Sequence, residues 1–99
     1  MKLVNIYSGN VVKAVQWRAK SEDSNEKKLG NMYLVGKVFR IDREATKQMF
    51  GLEGNMLKVY HGVNRTVAHD TDFILLDHEN NILVMTLEEM RDNYTFYGR

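Results

Sequence analysis

The last third of the chain leaves little freedom in how it folds. Phe73-Ile74-Leu75-Leu76 is a compact apolar run, Asp77-His78-Glu79-Asn80-Asn81 is polar turn material, and Ile82-Leu83-Val84-Met85 is a second apolar run. Two short apolar runs joined by such a turn predict an antiparallel hairpin. Thr86-Leu87-Glu88-Glu89 follows at once and matches a capping box, in which Thr86 accepts from the Glu89 backbone while the Glu89 side chain reaches back. That starts a short helix ending near Asn93, and Tyr94 to Tyr97 add a terminal strand. Hairpin, helix and strand in immediate succession require a sheet with at least one helix packed on it.

The rest of the chain extends the same pattern. Residues 2–7 read as a strand and Ser8-Gly9-Asn10 as a turn. Val11 to Arg18 read as a second strand, with Val11, Lys13, Val15 and Trp17 on the better core face and Val12, Ala14, Gln16 and Arg18 on the other. Lys20 to Lys28 is a polar loop running into a short helix that stops at Gly30. Met32 to Ile41 is β-prone and predicts a long strand bent at Gly36. Asp42 caps a helix from Arg43 to Phe50, closed by Gly51, with Ala45, Met49 and Phe50 on its apolar face. Glu53-Gly54-Asn55 is a turn, Met56 to His61 a strand, His61 to Asn64 a turn and Arg65 to His69 a returning strand. The sum is an α+β fold: a curled, mainly antiparallel sheet, small and open-barrel-like, with two or three short helices.

At 99 residues, 1–99 forms a single domain. With no cysteine, thiol catalysis, disulfides and thiolate metal sites are excluded. The first residues lack the apolar run of a secretory signal, and no stretch approaches a membrane span, so a cytoplasmic, membrane-free protein is expected. The formal charge of +1 argues against a protein that coats nucleic acid by charge alone. That total hides a split: residues 1–50 carry ten Lys/Arg against five Asp/Glu, and residues 51–99 carry four against eight. Such asymmetry points to partners.

Candidate chemistry is sparse. His69-Asp70-Thr71-Asp72 is the densest set of possible metal ligands, but in a strand His69 falls on the face opposite both carboxylates. A polar turn whose carboxylates accept backbone amides accounts for the same residues, and no metal or cofactor is expected. Ser8, Ser21 and Ser24 sit in turn-like contexts with no nucleophile elbow, and Gly51-Leu52-Glu53-Gly54 lacks the Lys and Ser/Thr of a phosphate loop. The chain is therefore read as a non-enzyme. Its basic and aromatic residues carry the remaining interest. Arg40, Arg43 and Lys47 lie along one strand end and the helix after it, and Arg18, Arg65 and Lys13 add to a basic surface. Trp17 and Tyr60 supply aromatic faces; with Arg they suit a nucleobase and its phosphate. Two readings stand for each: an ordinary charged surface over core aromatics, with Trp17 as a core anchor, or a ligand site made of Trp17, Arg18, Arg40, Arg43, Lys47, Tyr60 and Arg65.

Val12-Lys13-Ala14-Val15-Gln16-Trp17 resembles the V-x-A-x-Q-W strand near the start of a widespread group of small phage proteins. Those proteins follow it with a short acidic helix, which Ser21 to Leu29 match loosely. They close with a G-D-[YF]-I strand, a tight hairpin, an acidic turn of helix and a final Tyr; here these are Asp72-Phe73-Ile74, Asp77 to Asn81, Leu87-Glu88-Glu89-Met90 and Tyr94. Thr71 stands in place of the Gly, the cysteine and proline after the hairpin are absent, and residues 30–60 align poorly. The resemblance covers about half the chain, at its two ends. It implies a phage origin and, for a protein of this size, counter-defence in the host cytoplasm. The expected activity is sequestration of a nucleotide-like signalling molecule by a homo-oligomer. The alternatives are a protein–protein inhibitor of a host defence effector and a nucleic-acid-binding accessory protein.

Overall fold

The computed structural model describes residues 1–19, 32–61 and 64–98. Its organisation follows from β2 (Val11–Gln16). Val12 and Ala14 are buried toward one side of this strand, Val15 and the following Trp17 toward the other. A strand buried on both faces has to lie inside a sheet with a layer on each side. The sequence reading placed the core on one face alone; it missed this because Lys13 and Gln16 interrupt both apolar rows.

That sheet has five antiparallel strands in the order β7-β6-β2-β1-β8, where β1 is Lys2–Asn5, β6 Phe73–Leu76, β7 Ile82–Met85 and β8 Tyr94–Phe96. A second antiparallel sheet, β3 (Phe50–Glu53), β4 (Met56–His61) and β5 (Asn64–Ala68), is inserted between β2 and β6 in the chain. Neither sheet closes into a barrel. The described residues form three helices, α1 (Met32–Val38), α2 (Arg43–Met49) and α3 (Leu87–Asn93), giving the expected α+β class. No helix among them is long and apolar enough to cross a membrane.

The larger core lies between the sheets. Val15, Trp17 and Ile74 from the five-stranded sheet meet Phe50, Leu57, Val59 and Ala68 from the three-stranded one, and α1 closes the space with Met32, Val35 and Phe39. The smaller core lies on the opposite face, where Leu3, Val12, Ala14, Phe73 and Leu75 are covered by Met90 of α3. Each of the larger apolar side chains stabilises by roughly 1.5–3 kcal/mol when fully buried.

The long strand expected over Met32 to Ile41 is instead helix α1 and its exit. Tyr33, Val35, Val38 and Phe39 favour strands in isolation, yet Met32, Val35, Gly36 and Phe39 are the buried residues. Their spacing of three, four and seven is helical, and tertiary packing overrode propensity. Gly36 does not bend a strand; it lets α1 approach α2. A Cβ there would collide with the Thr46 side chain, whose hydroxyl donates to the Asp42 carbonyl at 2.8 Å. Asp42 caps α2 as expected, accepting from Ala45 N at 2.8 Å. The helix ends at Met49 with Phe50 as its cap, rather than running through Phe50 to Gly51, because Phe50 turns extended to enter β3, a strand the sequence reading missed. The capping box at Thr86 and Glu89 is present with both bonds. The polar loop and helix expected over Lys20 to Gly30 fall outside the described residues, as does the centre of the His61 to Asn64 turn.

Two substitutions test this packing. Gly36→Ala is expected to lower unfolding free energy by about 1–3 kcal/mol through overpacking, measured by chemical denaturation, with part recovered by adding Thr46→Ala. Thr71 sits at a φ of 75°, a conformation that suits Gly and strains a β-branched residue. This is the position where the phage pattern carries Gly. Thr71→Gly is expected to raise stability by about 1 kcal/mol; an unchanged or lowered denaturation midpoint would contradict the strain.

Candidate functional site

The seven residues expected to form a ligand site fall in separate places. Trp17 is fully buried, and its indole Nε1 donates to the Asn55 carbonyl at 3.1 Å, so its ring offers no surface for stacking. Arg18 is exposed and lines a cleft of about 410 Å³ with Ala19, Asn55 and Asp70. Arg40, Arg43 and Lys47 share the corner between α1 and α2, where each has a local setting. Arg40 ends α1 at a φ of 59°, the Arg43 guanidinium lies 3.8 Å above the Tyr33 ring, and Lys47 pairs with Glu44 at 3.5 Å. The Arg43–Tyr33 stack ties α2 to α1 and is worth about 0.5–1 kcal/mol at an exposed site.

Tyr60 and Arg65 are brought together. They are directly opposed in the β4–β5 register and both are exposed on the outer face of the three-stranded sheet. The Tyr60 ring also lies against the backbone of Gly51, where a Cβ would stand 3.5 Å from it. Lys58, on the same face by strand alternation, is committed to Glu53 at 2.6 Å. Its hydrogen bond and charge hold the Glu53 carboxyl below its ordinary value.

The His69–Asp72 segment is a turn whose carboxylates accept backbone amides. Asp70 accepts from Ala19 N at 2.8 Å and Asp72 from His69 N at 2.9 Å. Among the described residues no group of three or more His, Asp or Glu is placed to hold a metal ion.

One row of residues escaped the sequence reading. In the β1–β2 register Lys2 stands directly opposite Lys13. The next β2–β6 pair in that row is Lys13 with Leu76, and on the other side the Tyr97 N–H donates to the Lys2 carbonyl at 3.2 Å. Across the sheet the row therefore runs Tyr97, Lys2, Lys13, Leu76. Strand alternation puts Lys2 and Lys13 on the face opposite Leu3 and Val12, away from α3. Directly opposed like charges destabilise a sheet. Among the described residues neither ammonium has a carboxylate within 4.0 Å. Both lysines line a cleft of about 300 Å³ with Val11, Leu76, Asp77 and His78. Tyr97, next to Lys2, is 53% exposed. The pair follows from a turn centred between Tyr7 and Ser8, whereas the turn read at Ser8-Gly9-Asn10 would set position 2 opposite position 16.

Asp77 lines the same cleft but pairs with neither lysine, because its carboxylate is engaged in its own turn. It accepts from Glu79 N at 2.8 Å, Asn81 N at 2.9 Å and Asn81 Nδ2 at 3.3 Å. Burial pushes the carboxyl up, but these donors and the nearby His78 outweigh it and hold it below its ordinary value.

Comparison with known protein families, with curated proteins and with solved structures finds no match.

The Asp77 turn makes a pH-dependent contribution. A carboxyl depressed in the folded state stabilises above its unfolded value of about 3.9 and ceases to as pH falls through its folded value. Asp77→Ala is expected to cost about 1 kcal/mol at pH 7, and its deficit against the parent chain should narrow below about pH 4. Denaturation at pH 7 and pH 3 measures both numbers; an equal deficit at the two would remove the carboxylate account.

Proposed function

We propose that the chain is a phage-encoded, non-catalytic binding protein that counters a host defence by sequestering a phosphate-bearing aromatic molecule of nucleotide type in the host cytoplasm. The Lys2–Lys13 pair carries this reading: two lysines opposed in the strand register, without a carboxylate partner among the described residues, lining a cleft of about 300 Å³. A phosphate between them replaces mutual repulsion with two charge-assisted contacts. Tyr97 beside Lys2 supplies an exposed π-face within reach of a base whose phosphate lies on the lysines. Counter-defence and phage origin rest on the end motifs, Val12 to Trp17 and Asp72 to Ile74. The opposed Tyr60–Arg65 pair is the second place where an aromatic ring and a cation meet on an open sheet face. A homo-oligomer remains the expected assembly. The runner-up, a protein–protein inhibitor of a defence effector, draws on the exposed Ile6, Tyr7, Phe96 and Tyr97 at one end of the five-stranded sheet.

The test is calorimetric titration with ATP, cyclic di- and trinucleotides, an ADP-ribose derivative and pyrophosphate. Saturable binding is expected, weakened at least about tenfold by Lys13→Gln, since a hydrogen bond to a charged group is worth about 1.5–3 kcal/mol. Arg43→Gln should leave it unchanged. Without ligand and at low salt, Lys13→Gln should melt higher than the parent by relieving the repulsion, worth about 0.2–1 kcal/mol. A folded chain that binds none of these probes at millimolar concentration would overturn the proposal. Loss of binding on Tyr60→Ala and Arg65→Gln, with Lys13→Gln inert, would move the site to the three-stranded sheet.

A further inference from the structure

The two edges of the five-stranded sheet differ. β7 lies beside β5 of the second sheet. No described strand pairs with the outer side of β8. An open edge is a template for another strand, and proteins guard such edges with charge, proline or cover. Tyr94-Thr95-Phe96-Tyr97 carries neither charge nor proline, and Phe96 is 64% exposed.

The backbone of β8 is polarised in a defined way. Ile6 N donates to Asn93 O at 2.9 Å and Tyr97 N to Lys2 O at 3.2 Å. In an antiparallel ladder bonded and non-bonded pairs alternate, so Thr95 turns both of its backbone groups toward β1. Phe96 N–H and C=O, and Tyr94 C=O, then point outward. Tyr94 N–H is already spent on Met90 O, where it caps α3. The free edge thus offers one donor, at Phe96, and two acceptors, at Phe96 and two residues earlier at Tyr94.

This arrangement is self-complementary. We propose that β8 pairs with β8 of a second copy of this chain, antiparallel about a two-fold axis at Thr95. In that register Phe96 N–H donates to Tyr94 O of the second copy and the reciprocal bond forms, while the inward-committed Tyr94 N–H is not needed. The register also resolves the side chains. Tyr94 and Phe96 share the α3 face, on which a groove of about 290 Å³ opens between α3 and the sheet, lined by Leu3, Phe73, Leu87, Met90, Tyr94 and Phe96. Phe96 of the second copy lies across from Tyr94 and so at the open side of this groove, and each copy inserts one ring into the other. On the opposite face Tyr97 of the second copy falls across from Asn93, in the row of Ile6, which is 52% exposed.

The available area is of the right order. At roughly 200 Å² for each large side chain, the exposed parts of Ile6, Phe96 and Tyr97 amount to roughly 340 Å² per copy. A standard interface takes about 800 Å² from each partner, and the paired backbone and α3 rim add to the side chains. An isologous contact uses the same patch twice and closes, so the assembly stops at a dimer with one ten-stranded sheet. This inference shares Tyr97 with the ligand reading but does not rest on that reading, and its test uses no ligand.

Sedimentation velocity between about 1 and 200 μM is the first measurement, and a dimer is expected. Phe96→Lys should raise its dissociation constant about a hundredfold or more, since two buried rings are lost. The decisive variant exploits the absence of cysteine. Thr95→Cys places two thiols opposite one another across the axis in a non-bonded pair, with Cα atoms about 4.5 Å apart and within disulfide reach. Mild oxidation should give a covalent dimer that melts as a folded protein, while Glu79→Cys in the β6–β7 turn should not cross-link. A chain that sediments as a monomer throughout this range overturns the proposal. So does a dimer that leaves Thr95→Cys uncrosslinked and tolerates Phe96→Lys.

Discussion

The burial of Trp17 is the interaction on which the rest of the structure depends. It follows directly on β2, which like its neighbour β6 is buried on both faces, and its ring fills the space where the two sheets and α1 meet. Three hydrogen bonds fix it there. Its N–H donates to Asp72 O at 2.7 Å, its carbonyl accepts from Thr71 N at 2.9 Å, and its indole N–H reaches Asn55 O at 3.1 Å. The first two bind β2 to the segment entering β6; the third binds the five-stranded sheet to the β3–β4 turn of the other. A buried indole N–H needs such a partner, and the turn supplies it because Gly54 takes a φ of 60°. The left-handed Thr71 belongs to the same arrangement, since its N–H is the one that donates to the Trp17 carbonyl.

Covering both faces at β2 has a consequence for β1. The second sheet and α1 occupy the face that carries Val15 and Ile74, and α3 occupies the face that carries Leu3 and Val12. The described core on the Val15 side takes no residue from β1 or β8. There Lys2 is exposed and Lys13 half-buried, with an exposed Val11 between them and the turn. Polar residues on that face are what a partly covered sheet requires. Two directly opposed lysines are more than it requires, since a single lysine or a neutral polar residue would solvate the face without repulsion.

Much of the fold was legible because its signals are local. The β6–β7 hairpin, the capping box, the β1–β2 hairpin and the Asp42 cap each rest on a few neighbouring residues, and each is present. Helix α1 was not legible as a helix, because nearly every residue from Met32 to Phe39 is apolar or aromatic and the helical stripe is hidden among exposed apolar neighbours such as Leu34. The exposure of those neighbours is decided by what packs on the helix, which is non-local. The candidate site residues are scattered for a related reason. Cations were grouped by nearness in the chain, whereas a sheet groups residues by register. Arg40, Arg43 and Lys47 are close in sequence at a helix corner, where Arg43 and Lys47 are engaged, while Lys2 and Lys13 are eleven positions apart and opposed in the register.

Part of the charge split between the halves of the chain has a spatial form: three of the eight acidic residues of the second half lie together. Glu88, Glu89 and Asp92 sit on α3, on one side of the five-stranded sheet. Lys2 and Lys13 face the other side, where α1 and α2, carrying Lys37, Arg43 and Lys47, also pack. Acidic residues in the first turn of α3 complement its dipole, so their position has a local cause independent of any ligand. The effect on an approaching anion is nonetheless directional. It is repelled from the α3 side and drawn to the side of the lysine row, and over separations within a Debye length of about 8 Å this difference acts at physiological salt. A near-neutral chain thereby acquires an oriented field without the net charge that would bind nucleic acid indiscriminately.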